Sequence, residues 1–93
     1  MADKRRPTAN EYKLLERVVA GWDCYRTTCG AWKVAPALVS EGSPHSVSTR
    51  IVQALVECSW GRRRYLRRWH FYITDAGHKA YEDESRRRLE SKT

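Results

Sequence analysis

Ninety-three residues give room for one domain, and 41% hydrophobic residues with four Trp and five Tyr are too apolar for a disordered chain. Eighteen Lys and Arg against eleven Asp and Glu leave a net charge of +7, which points to a polyanionic partner, nucleic acid first. No apolar run reaches membrane-spanning length and no basic stretch carries a broad apolar face, so no membrane partner is expected.

Residues 1–7 read as a basic, disordered tail ending at Pro7. Met1 to Lys13 is polar, so no secretory leader is expected. Thr8 opens a first helix, because Thr8 and Glu11 stand at capping-box spacing and Tyr12, Leu15, Val19 and Trp22 follow at helical spacing. Gly21 closes it, which gives a helix over 9–21. Residues 22–31, with Asp23, Thr27, Thr28 and Gly30, read as a loop with room for one short strand. A second, short helix is expected over 32–40, carrying Trp32, Ala35, Leu38 and Val39. It starts nearer Ala35 if Pro36 takes a first-turn position, where its missing N–H costs nothing.

Glu41-Gly42 is a turn, and Ser43-Pro44 then offers an N-cap Ser followed by a first-turn Pro. A third helix is expected from there to about Glu57. Val47, Ile51, Ala54, Leu55 and Cys58 share its apolar face. Ser46, Thr49, Arg50 and Gln53 share the opposite, polar face with Glu57.

Trp60-Gly61 leads into Arg62-Arg63-Arg64-Tyr65-Leu66-Arg67-Arg68 and then the alternating run Trp69-His70-Phe71-Tyr72-Ile73, which together read as a β-hairpin. Trp69, Phe71 and Ile73 are expected to face in, and His70 and Tyr72 out. No Asn-Gly or Asp-Gly pins the turn, so the register stays open. The excess charge is concentrated here: residues 44–73 hold six Arg against one Glu, whereas residues 74–93 balance at five and five. Thr74 caps a last helix with Asp75 in its first turn. Its apolar stripe of Ala76, Ala80 and Tyr81 is short, and residues 83–93 are expected to fray as a charged helix end. The domain proper is thus read as 8–82.

Two stretches carry a family resemblance. Ser46-Val47-Ser48-Thr49-Arg50-Ile51-Val52-Gln53-Ala54-Leu55 resembles a recognition helix, and Ile73-Thr74-Asp75-Ala76-Gly77-His78-Lys79-Ala80 resembles the step from a wing strand into the following helix. Together they are similar to the winged helix-turn-helix domain of MarR-like and PadR-like bacterial and phage transcription regulators. The resemblance implies an α+β fold with a three-helix core, a basic hairpin wing and a C-terminal helix. It also implies duplex DNA as the partner, as in a transcriptional regulator or phage accessory protein, with the third helix in the major groove and the wing on phosphates or the minor groove. The chain lacks apolar helices for dimerisation, so a monomer or weak dimer is expected.

The expected contact residues are therefore Ser46, Thr49, Arg50 and Gln53 on the helix, and Arg62, Arg63, Arg64, Tyr65, Arg67 and Arg68 on the wing. Five Arg within seven residues, interleaved with aromatics, suit phosphate neutralisation, and Arg is the better fit to phosphate and base edges. Tyr65 and Leu66 at the tip are either a wedge for a base step or a contact for a protein. The competing reading is a protein-interaction module that docks, through the tip or the final helix, on an acidic host protein or a nucleoprotein complex. Cys24, Cys29, Cys58 and His70 offer a Cys₃His set for zinc, but without close paired spacing they read as structural thiols. No metal and no cofactor is expected. Three irregularly spaced Cys suggest a reducing cytoplasm. Asp75 and His78 stand one turn apart without a nucleophile motif, and no phosphate loop or carboxylate pair is present, so no enzymatic activity is expected.

Overall fold

The computed structural model describes residues 6–36 and 42–91. The first helix, α1, spans Ala9–Val19. Its capping box is closed on both sides: Thr8 N–H donates to the Glu11 carboxylate at 2.9 Å, and the Glu11 N–H donates to Thr8 Oγ1 at 3.2 Å. Leu14 and Leu15 turn inward, and Gly21 takes the left-handed conformation (φ 100°) that lets the chain reverse after the Ala20 C-cap.

The chain then forms β1 (Asp23–Arg26) and β2 (Trp32–Ala35), an antiparallel pair closed by Thr27 N–H donating to the Ala31 carbonyl at 2.7 Å. A third strand, β3 (His45–Val47), pairs antiparallel with the far side of β2. Helix α2 (Thr49–Glu57) follows, capped by Ser48, whose Oγ accepts from the Arg50 N–H at 3.2 Å. β4 (Gly61–Leu66) and β5 (Arg68–Ile73) make a hairpin, and α3 (Asp75–Ser91) closes the fold. Thr74 joins these two: its hydroxyl donates to the Ser59 carbonyl at 2.6 Å and accepts from the Gly77 N–H at 3.1 Å.

The sheet is antiparallel throughout, in the order β3-β2-β1-β5-β4. The core lies between one face of it and the helices. Cys24, Trp32, Val34 and Phe71 from the sheet meet Leu14, Leu15, Val52, Leu55 and Trp60. The opposite face contributes nothing to this core, so the architecture is two-layered with one open sheet face among the described residues. No helix among the described residues is long and apolar enough to cross a membrane.

This is not the winged helix-turn-helix with a three-helix core that the resemblance implied. Three helices pack on a five-stranded sheet, and the segment expected to hold the second helix holds a strand. The physical reason lies in the period. Trp32 and Val34 are buried while Lys33 and Ala35 are less so, an alternation of two that suits a pleated strand of aromatic and β-branched residues. The rest of that expected helix, 37–40, and Glu41 lie outside the described residues. The third helix starts later than Ser43-Pro44 implied, because His45–Val47 is committed to hydrogen bonding with β2 and Ser48 is the residue left free to cap. The segment 22–31, read as a loop with room for one short strand, holds β1, which pairs with β2 and, at Cys24 and Tyr25, also with β5.

Candidate nucleic-acid interface

The hairpin's register pairs Gly61 with Ile73, Arg62 with Tyr72, Arg63 with Phe71, Arg64 with His70, Tyr65 with Trp69 and Leu66 with Arg68. Arg67 stands alone at the tip in the left-handed region (φ 67°), which is how the turn closes without Asn-Gly or Asp-Gly. Each strand of six residues runs about 20 Å. Only its base is buried, at Gly61 and Phe71, and every residue from Arg62 to Trp69 is exposed. Tyr65 and Trp69 meet edge to face at 5.5 Å, so the two strands are tied near the tip by an aromatic pair.

None of Arg62, Arg63, Arg64, Arg67 and Arg68 forms an ion pair among the described residues. The other Arg run behaves in the opposite way. Arg87 and Arg88 bind the Glu84 carboxylate at 3.1 and 3.0 Å, Arg86 lies 3.7 Å from Asp83, and Arg6 reaches Glu84 from the N-terminal side at 3.0 Å. Glu84 is only 2% exposed, and the hydrogen bond from Arg6, with Arg87 and Arg88 beside it, holds its carboxyl below the ordinary range. The three Arg of α3 are therefore paired within the fold, whereas the five Arg of the hairpin have no ion pair among the described residues.

Strand alternation sorts the hairpin residues by face. Arg63, Tyr65 and Trp69 share the core side with Phe71 and Ile73, but Tyr65 (60% exposed) and Trp69 (41% exposed) project where nothing covers them. Arg62, Arg64 and Arg68 share the open side with His70 and Tyr72. On that side the registers line up a row across the whole sheet: Ser46, Lys33, Tyr25, His70 and Arg64, one from each strand. Four strand spacings make this row about 19 Å long. The Arg68 guanidinium lies over the Tyr25 ring at 4.1 Å, and His70 Nδ1 is 3.2 Å from Asp23 Oδ1.

The expected contact residues are thus only partly brought together. The hairpin brings its Arg and Tyr65 onto one ribbon but on both of its faces, with Arg63 and Tyr65 on the core side, Arg62, Arg64 and Arg68 on the open side and Arg67 at the tip. Ser46 shares the open face but lies on β3, at the sheet edge opposite β4. Thr49, Arg50 and Gln53 are exposed, but they stand on α2 in the helical layer, turned away from the sheet that Val52 and Leu55 contact, and Gln53 is engaged with Glu57 at 3.3 Å. The sequence alone does not single out Lys33 and Tyr25, because 32–40 reads as a helix and the one short strand within 22–31 has no assigned position, so neither residue can be placed on a sheet face.

The four candidate zinc ligands are not assembled. Cys24 is buried on the core face, His70 is on the open face, Cys29 is in the exposed β1–β2 turn and Cys58 caps α2, and no three metal-ligating side chains converge among the described residues. Burial pushes the Cys24 thiol up to about 12, so it packs as a small apolar group.

No family model matches the chain, and neither a curated protein nor a solved structure matches it.

Proposed function

We propose that the protein binds nucleic acid through the β4–β5 hairpin, with phosphate neutralisation by Arg62, Arg63, Arg64, Arg67 and Arg68 as the leading contribution. The observation that carries this reading is the contrast in pairing: the hairpin Arg have no carboxylate partner among the described residues, whereas those of α3 do. Like charges crowded on a two-stranded ribbon repel one another, and a polyanion relieves that repulsion while releasing its condensed counterions. A solvated face built only for solubility mixes signs, and this one does not.

Replacing Arg63, Arg64, Arg67 and Arg68 together by Ala should weaken binding to nucleic acid at low salt by at least about tenfold, and should flatten the dependence of log affinity on log salt by as much as about 3.6, since each duplex phosphate contact contributes about 0.9. All four side chains are exposed, so the variant should fold. Unchanged affinity in a folded variant would sink the proposal.

A second reading has one observation behind it. Tyr65, Leu66 and Trp69 leave a large apolar area exposed at the tip, as a docking site for an acidic protein would. Tyr65→Ser with Leu66→Ser separates the two: nucleic-acid affinity is retained if the Arg lead, and a protein partner is lost if the tip leads.

A further inference from the structure

The open sheet face differs from the hairpin in shape as well as in composition. It is five strands wide, about 19 Å, whereas a duplex major groove is about 12 Å wide and takes a two-stranded ribbon at most. Arg62 and Arg64 line its β4 edge, Arg68, His70 and Tyr72 stand on the neighbouring β5, and Tyr25 on β1 and Lys33 on β2 follow across the face. The carboxylate on this face, Asp23, is engaged with His70.

The rings are presented in distinct ways. Tyr72 is 39% exposed and tilted 32° to His70 at 6.1 Å, so it offers a ring to a planar ligand. Tyr25 is covered by the Arg68 guanidinium, and Arg68 itself is exposed, so a planar group can stack on the Arg68–Tyr25 pair. The face therefore alternates planar surfaces with unpaired cations. Duplex bases present only their edges, because their faces are stacked on one another; unpaired bases present their faces.

Resting on the reading that the hairpin holds nucleic acid, we infer that the bound form is an unpaired strand, laid across the open sheet face with bases stacked on Tyr72 and on the Arg68–Tyr25 pair, and with phosphates on Arg62, Arg64 and Lys33. This replaces the preference for duplex DNA that the family resemblance implied with one that the geometry of the sheet supports.

The test is fluorescence anisotropy of the full chain with a labelled mixed-sequence single strand and with the matching duplex, in the same salt series. The single strand should bind more tightly. Tyr72→Thr replaces the ring by a β-branched residue that also favours a strand and should weaken single-strand binding roughly tenfold, the scale of one lost base stack, with duplex binding unchanged. Tyr72→Phe should bind as the parent does. Arg68→Lys keeps the charge and removes the guanidinium plane, so it should also weaken single-strand binding, and it serves if Tyr72→Thr does not fold. Duplex bound as tightly as single strand, or single-strand affinity indifferent to a folded Tyr72→Thr or to Arg68→Lys, would overturn this inference and leave the hairpin proposal standing. Absence of binding to either polymer at low salt would overturn both.

Discussion

Replacing Gly61 by alanine tests whether the base of the hairpin is held as the structure indicates. Gly61 opens β4 directly opposite Ile73, and its backbone lies outside the left-handed region, so an alanine is conformationally acceptable there. In the absence of other effects, a Gly-to-Ala change in a strand gains about 0.5–1 kcal/mol from the smaller entropy of the unfolded chain. At Gly61, however, the new methyl would overlap Cζ and Cε1 of the Phe71 ring and lie 3.2 Å from Cε2. Phe71 is 2% exposed and sits in the core, so its ring cannot swing into solvent. Overpacking of this kind costs about 1–3 kcal/mol, and overlap with two atoms of a ring that cannot move puts this case in the upper half of that range, so after the entropic gain a net loss of about 1–2 kcal/mol remains. For a domain of this size that is a fall in Tm of roughly 5–15 °C.

The cause can be isolated by a double-mutant cycle read by thermal unfolding. Phe71→Leu alone should cost about 1–2 kcal/mol, but it removes the ring that the methyl meets. Gly61→Ala should then be nearly neutral in the Phe71→Leu background, with a coupling of about 1 kcal/mol or more. An equal cost in both backgrounds, or a rise in Tm for the single variant, would refute the packing argument.

Two further outcomes are expected. Glu84→Gln should lower Tm at neutral pH, because it takes the charge from a carboxylate shared by Arg6, Arg87 and Arg88. The folded-state carboxyl is held below its ordinary 4.5, so its contribution is complete above that value and is lost as the pH falls below it; the Tm difference between parent and variant should therefore shrink in acid, and a difference independent of pH would contradict the role given to Glu84. Iodoacetamide should modify Cys29 first, since it is exposed and its thiol is lowered chiefly by the Thr27 hydroxyl, while Cys24 reacts only on unfolding; mass spectrometry showing early Cys24 modification would contradict its placement in the core.

Local signals in the sequence carried the starts of α1 and α3 and the hairpin. The Thr8–Glu11 spacing, Thr74 before Asp75 and the alternation from Trp69 to Ile73 each depend on residues a few positions apart, and each has its counterpart in a hydrogen bond or a register. The middle of the chain was legible only in part. Asp23–Arg26 and Trp32–Ala35 are four residues each, too short for alternation to stand out against a helical reading. Ser43-Pro44 imitates a helix start, whereas the cap is Ser48, because pairing of His45–Val47 with β2 overrides local preference. The candidate site divides in the same way. The Arg cluster stands within seven residues of the chain, but the row from Ser46 through Lys33, Tyr25 and His70 to Arg64 exists only once β1 pairs with β5, a contact between residues 47 positions apart for Cys24 with Phe71.

Amide chemical-shift changes in the ¹⁵N-labelled protein, mapped as a short single-stranded oligonucleotide is added, locate the nucleic-acid surface. If the hairpin is that surface, the largest changes fall on residues 62–72 and extend across the sheet to Tyr25 and Lys33. Largest changes on Thr49, Arg50 and Gln53 of α2, or along α3, would contradict it.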